Sequence, residues 1–340
     1  MASQSNFGGD ELFEATASES QARAEALLPS HGSEDASHLL RTFTEDELTR
    51  PPFDEDRDYL PSSRADWVVH VDFPPAVVLG REDIGSVFNV DWLNNNDRPT
   101  VFGFSPENQR WTFVNAADSP ETYSRLQIAW RMRPLFKDEP ITKQQFERYK
   151  VAVETAASTL EASGVRTDLS PSQAEERSAA LIKLAASCSQ GIDVVLQAPR
   201  GRTFDGKAIW DVMLCLGLQW GDMDLFHWEN PGIPGDDHLF SVCTSTPPGY
   251  FFPEQIAAGR VQTADLAFGF TIARTYQPEK IFDSMLQAIQ YAQKRFGGRL
   301  VNLDGSPFSE DAARSEIRNV VQKLANAGFE AGAHETLYLI

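Results

Sequence analysis

Cysteine is scarce in this chain. The three thiols, Cys188, Cys215 and Cys243, are odd in number and far apart. That excludes a disulfide framework and a Cys-x-x-Cys metal pair. Each lies among apolar neighbours and reads as a small buried hydrophobe of a reducing compartment. Histidine is nearly as sparse. His31, His38, His70, His227, His238 and His334 show no H-x-H or H-x-x-x-H spacing, so no metal site is indicated. Phe226-His227-Trp228 reads as a strand histidine at a sheet surface. Asp236-Asp237-His238 reads as the end of a hairpin loop that begins at Pro231. Phosphate-cradling glycine loops and G-x-S-x-G elbows are missing. No nucleophile, base and acid converge in the sequence, so neither an enzyme nor a cofactor is expected. No apolar run approaches the ~18–20 residues of a membrane helix, and no basic and apolar leader opens the chain. As written it reads as soluble and cytoplasmic. Positive charge is also short: 30 Lys and Arg stand against 49 Asp and Glu, a net charge of -19. Such a surface repels phosphate backbones and anionic lipid, which argues against nucleic acid, including RNA stacked on a sheet, and against direct membrane insertion.

What the chain does have is apolar residues, 41% of its 340 positions, with 22 Phe, enough for two real cores. From residue 66 onward it reads as the same pattern twice. Strand-like 65–73 is followed by helix-like 81–93, strands 99–105 and 109–116, a long strand 123–132, a helix from Ile141 and a helix from Pro171 to Ser187. From Gly191 the order recurs: strand 191–199, helix 206–218, strands 221–228 and 237–245, strand 264–274, helix 278–296, short strand 298–303 and helix 309–327. A period of about 125 residues is domain-sized, too long for a solenoid. The expected fold class is α+β, two tandem split βαβ domains, each an antiparallel sheet with helices on one face.

Periodicity marks the cores. Trp67, Val69 and Val71 alternate as in a half-buried strand. Phe146, Tyr149, Val153 and Leu160 share one helical stripe, Ala179, Ile182 and Ala186 a second, and Ile281, Met285, Ile289 and Ala292 a third. Phe226, Phe240 and Phe268 mark three aromatic strands of the second copy. Ser170-Pro171 and Ser309 open helices, and Gly297-Gly298 closes one. Glu335 to Ile340 reads as an extra C-terminal strand covering a sheet edge.

Residues 1–64 differ. They carry 14 acidic residues against five Arg and read as a disordered acidic tail or linker. Within them, 11–28 suggests a helix with few apolar anchors. Phe43 to Leu48, with Pro51-Pro52-Phe53, suggests a docking segment. The domains expected are therefore 1–64, 65–188 and 190–340.

The second copy carries Phe204-Asp205-Gly206, then Gly221-Asp222-Met223-x-x-Phe226-His227, Leu239-Phe240-Ser241, Pro248-Gly249-x-Phe251, and Gly297-Gly298 followed by Asp304. Five such motifs in register resemble the C-terminal domain of the ZipA family of bacterial division proteins over about 190–330. The first copy resembles a diverged version without the Gly-Asp-Met and Pro-Gly-x-Phe motifs. The resemblance implies a sheet whose helix-free face is a shallow groove for the C-terminal peptide of FtsZ, with no catalysis. Transferred residue by residue, the groove comprises Met223, Cys243, Ser245, Ala267 and Gly269, with Gly191, Asp193 and Val195 on the first strand. This floor is smaller and less apolar than the family's.

The function expected is a non-enzymatic division adaptor that binds the FtsZ C-terminal peptide, or another divisome protein's peptide, at the septum. The alternative is a scaffold in which the two domains pack together and the acidic tail recruits the partner. The resemblance also implies a membrane anchor only if a helix precedes Met1.

Overall fold

A computed structural model describes residues 21–48, 58–75, 77–116, 118–134 and 139–340. The chain divides into two compact units. One spans Pro51–Ser187. The other comprises Cys188–Tyr338 together with the N-terminal segment. Both are α+β with antiparallel sheets.

In the first unit the sheet order is Arg110–Phe113, Thr100–Ser105, Arg125–Arg131, Asp66–Asp72, Gly164–Thr167. Trp67, Val69 and Val71 point to the helical side and are fully buried. Trp67 and Trp130 are directly paired across their strands. The helix Lys143–Thr159 covers them, with Phe146 4.9 Å from Trp67 and Tyr149 stacked 4.8 Å from Trp130. The expected stripe Phe146, Tyr149, Val153, Leu160 is the buried one. Each such aromatic contributes roughly 1.5–3 kcal/mol by leaving water. The indole N–H groups do not go unsatisfied: Trp67 donates to the Leu169 carbonyl at 2.9 Å and Trp130 to that of Asn96 at 2.7 Å. A Thr142–Gln145 capping box starts the helix.

The stripe expected on Pro171–Cys188 is displaced. Ala174, Ser178, Leu181 and Ala185 are buried, while Ala186 is exposed. Ser178 sets this rotation. Its hydroxyl donates to the Met132 carbonyl and accepts from the Ile141 amide, which turns a polar position inward.

In the second unit the order is Gln219–Trp220, Phe226–Glu229, His238–Cys243, Asp265–Thr271, Gly191–Gln197, Arg299–Val301. Phe226, Phe240 and Phe268 lie in this one sheet: Phe226 and Phe268 both pair with Val242, and Phe240 pairs with Trp228. Their rings face the helices Gly206–Cys215 and Pro278–Phe296. Trp210 meets Phe226 at 5.1 Å, and Ile281, Met285, Ile289 and Ala292 are fully buried. Gly297 and Gly298, at φ 75 and 100, close the long helix. A Cβ at Gly298 would stand 2.3 Å from the Gln197 carbonyl oxygen, so the turn into Arg299–Val301 requires glycine.

The units share a three-strand centre, but their hairpins attach differently. In the second, the later arm His238–Cys243 lies beside Asp265–Thr271. In the first, the earlier arm Thr100–Ser105 lies beside Arg125–Arg131. After Phe113 the first unit's chain returns from the sheet edge, and Thr122–Tyr123 pairs on the way with Leu79–Gly80. Element order along the sequence is the same for both attachments, so it could not distinguish them.

Two further expectations need correction. The C-terminal segment forms a helical turn, His334–Leu337, not a strand. Gly332, at φ 73, reverses the chain hard against Tyr276, whose amide nitrogen would lie 2.4 Å from a Cβ there. The Thr336 hydroxyl then bonds back to the Glu330 carbonyl at 2.6 Å, and Arg274 holds the Leu337 carbonyl at 3.1 Å.

The described part of the acidic segment is not a solvated linker either. Residues 21–27 are helical, and Ala24, Leu28, Ala36 and Leu40 are buried. The segment crosses the helical back of the second unit and is riveted by polar pairs. Arg23 meets Glu254 at 2.9 Å. The Ser33 amide and hydroxyl bond Asp211 at 2.6 and 2.8 Å. Glu34 meets Arg295 at 3.1 Å, the Ala36 amide donates to the Cys215 carbonyl at 2.8 Å, and Glu47 pairs with Lys280 at 2.8 Å. The docking motif from Phe43 to Leu48 takes part, with Phe43 6.3 Å from Trp228. Its continuation at 51–53 lies outside the described residues, as do 11–20 and 54–57.

Candidate functional site: the helix-free face of the second sheet

Alternation in each strand gives the sheet two faces. Phe226, Phe240, Val242, Leu266, Phe268, Val194 and Leu196 take the helical side. What remains for the other face is set by register. Cys243 pairs with Ala267, Ala267 with Val195, and Val195 with Val301. These four make one row across four strands, and Val195, Ala267 and Val301 are a buried apolar cluster with Cys243 against it. The next row runs His227, Ser241, Gly269, Asp193 by the same direct pairings. Three of the transferred groove residues, Val195, Cys243 and Ala267, therefore share one row, and Gly269 occupies the adjacent one.

Asp193 shares that adjacent row, and Gly191 lies beyond it, paired with Thr271; Met223 and Ser245 lie elsewhere. Met223 is not on a strand. It occupies the turn Asp222–Asp224 at φ 55 with its side chain 74% exposed. The sequence pattern takes 221–228 as a single strand, but the left-handed Met223 and Asp224 break it before Phe226. Ser245 follows the end of its strand. Its amide donates to Asp265 Oδ1 at 2.7 Å, and its hydroxyl and that of Thr244 bond the same carboxylate. It anchors the loop and does not line the row.

The second row is polar, and its electrostatics are specific. Gly269 lies beneath Asp193: a Cβ there would stand 2.2 Å from Asp193 Oδ1. The bare glycine lets the carboxylate rest on the sheet. Burial by the surrounding strands raises the Asp193 pKa, and no cation meets it among the described residues. Asp193 in turn raises the pKa of the Cys243 thiol, second to that thiol's own burial. His227, 2% exposed, donates from Nε2 to the Asp222 carbonyl and accepts at Nδ1 from the Ser241 hydroxyl, both at 2.8 Å. Burial lowers its pKa and favours the neutral ring. His238 stacks on it at 3.9 Å. Glu229, 3.3 Å away, raises the His238 pKa against the cost of burial. At this end the face opens into a hollow of about 490 Å³ bordered by Asp193, Asp222, Asp237, Ser241, Gly269 and Thr271.

The face thus carries a row of small, buried apolar side chains beside a polar end, with exposed Met223 in the turn before the Phe226 strand. Ser241 and His227 belong to it, although the motif transfer passes over them. The signal for Ser241 is strand alternation from Cys243. Residues 190–319 match the family described as "ZipA, C-terminal FtsZ-binding domain". The chain is 26% identical over 129 residues to the cell division protein ZipA of Marinobacter nauticus, covering 37% of this chain and 38% of that protein. It is 27% identical over 128 residues to that of Ectopseudomonas mendocina, covering 38% and 46%. It is 24% identical over 225 residues to that of Colwellia psychrerythraea, covering 65% and 58%. The matches to the first two relatives span less than half of each relative's length.

Proposed function

We propose that this chain, which carries a ZipA-like domain at residues 190–319, is a non-enzymatic cell division adaptor acting at the division site. The helix-free face of its second sheet holds the C-terminal peptide of FtsZ. The observation that carries this reading is the row Cys243–Ala267–Val195–Val301, small apolar side chains on the face opposite the helices. Small floor residues leave room for one or two large ligand side chains, the usual seat of peptide affinity. Met223 supplies a flexible thioether that adapts to the ligand's contour. A second reading, recruitment by the acidic N-terminal segment, is less favoured, because residues 33–47 already spend their polar groups on the unit's own helices.

Titration calorimetry of the whole chain with the FtsZ C-terminal peptide tests the proposal. A dissociation constant near the micromolar range is expected, about -8 kcal/mol. Absence of heat at ~100 µM peptide defeats it.

A further inference from the structure

The first sheet also has a helix-free face, and its chemistry is different. Phe102 pairs with Phe113 and Phe104 with Trp111, with ring separations of 5.1 and 5.7 Å. Beneath them Val68, Phe102 and Ala129 form a buried cluster on which Tyr59 and Trp111 pack. Arg125, the strand neighbour of Phe104, lays its guanidinium 4.1 Å from that ring and 5.4 Å from the ring of Trp111. This is an aromatic platform with a cation fixed on it.

The chain itself shows how a peptide meets this platform. The Tyr59 amide donates to the Trp111 carbonyl at 2.9 Å, and the Trp111 amide donates to Asp58 Oδ1 at 2.8 Å. The Tyr59 ring lies 4.9 Å from Phe113. An acidic residue followed by an aromatic one thus engages the edge strand Arg110–Phe113 through backbone, ring and carboxylate together. This pair reaches Phe113 and the edge, and leaves Arg125 uncommitted. Arg125 is exposed, and its guanidinium forms no ion pair or hydrogen bond among the described residues. That is notable where acids outnumber bases by 49 to 30. Another cation of the face is taken: Arg166 lies 3.5 Å from Asp72 and 3.8 Å from Asp168.

We infer that this face is a second docking surface, whose occupant is an extended partner peptide carrying a large apolar side chain beside a carboxylate. The apolar group lies on Phe104 and Trp111, and the carboxylate pairs with Arg125. A guanidinium already flattened on two rings loses little further freedom when it binds, and a carboxylate matches its fork. Single-stranded nucleic acid would also stack on such rings, but it needs several free cations along its phosphates. Here Arg125 stands without a carboxylate partner among the described residues, and Asp72 and Asp168 share the face. The inference concerns a different sheet from the proposed FtsZ site and stands apart from it.

The test uses the whole chain and a synthetic peptide, Ac-Ser-Leu-Asp-Phe-Glu-Leu-Ser-NH2, with its Asn/Gln counterpart. Binding is followed by NMR at the Trp111 indole N–H and the Arg125 Nε–H. Saturable shifts of both signals are expected with the acidic peptide. Arg125→Gln should weaken that peptide about tenfold or more and leave the Asn/Gln peptide nearly unchanged. Arg125 is exposed, and an unchanged melting temperature will show that the variant folds. No shift up to ~1 mM peptide overturns the inference, as does equal binding of both peptides to wild type. Tighter binding of an oligothymidylate than of the peptide at physiological salt also overturns it. Retained FtsZ-peptide binding by Arg125→Gln separates this surface from the one on the second sheet.

Discussion

The docked N-terminal segment can be unseated with a single methyl group. Gly32 lies so close to the helix Gly206–Cys215 that an added Cβ would stand 2.4 Å from the Cys215 amide nitrogen, 2.6 Å from its sulfur and 2.8 Å from its Cα. Two of these neighbours are backbone, so the helix cannot move aside cheaply. Gly32→Ala must therefore lift the segment. Overpacking of this kind costs about 1–3 kcal/mol, which raises the population of the open form roughly 5- to 150-fold. Hydrogen exchange should accelerate by that factor at the Ser33 amide, held by Asp211, and at the Ala36 amide, held by the Cys215 carbonyl. Amides inside Pro278–Phe296 should keep their protection, because Ile281, Met285, Ile289 and Ala292 still hold that helix on the sheet. Gly85→Ala is the control: no atom lies within 4 Å of its added methyl, and in a helix this exchange stabilises by about 0.4–1 kcal/mol. Unchanged exchange at Ala36 in Gly32→Ala would refute the docking described here.

Further outcomes are expected. Ala267→Trp places a large ring at the centre of the Cys243–Val195 row and should weaken the FtsZ peptide at least about tenfold by calorimetry; the position is 7% exposed, so the melting temperature should fall as well. Asp193→Asn removes a carboxylate whose folded pKa burial has raised. The charged form is therefore disfavoured by folding, so the variant should gain stability over wild type at pH 7. The gain should vanish as pH falls below ~3.8, where the carboxyl is protonated in both states. Glu47, held at about 2 chiefly by its hydrogen bond from Lys280, should keep its end of the segment docked at neutral pH. That attachment should be lost as pH falls from about 4.5 toward 2, seen as rising exchange at the Leu48 amide. NMR titration should find His238 protonating above its ordinary value of ~6.5 and His227 below it.

Much of the core was legible because apolar spacing carries it. The stripes on Lys143–Thr159 and Pro278–Phe296, and the alternation at Trp67, Val69 and Val71, needed only local periodicity. The stripe on Pro171–Cys188 was misread by a fraction of a turn, because buried Ser178 bonds Met132 from 46 positions away. The N-terminal segment was opaque for a similar reason. Its apolar anchors are few, and what fixes it are partners such as Asp211, Arg295 and Lys280, some 180 to 260 positions distant. Within the candidate site, Val195, Cys243 and Ala267 came from the family resemblance and not from local periodicity, and the strand register sets them in one row. Met223 lies in a turn and not on a strand, because nothing in Gly-Asp-Met-Asp announces two successive left-handed residues. The reversed hairpin of the first sheet was equally hidden, because strand pairing is a choice among antiparallel neighbours that the order of elements does not make.

Amide shift mapping of the isotope-labelled whole chain with the FtsZ C-terminal peptide bears most directly on the proposed function. The largest saturable shifts should fall on Val195, Cys243, Ala267 and Gly269, with the Met223 methyl following the same curve. Binding that moves other residues and leaves this row still would contradict the proposal.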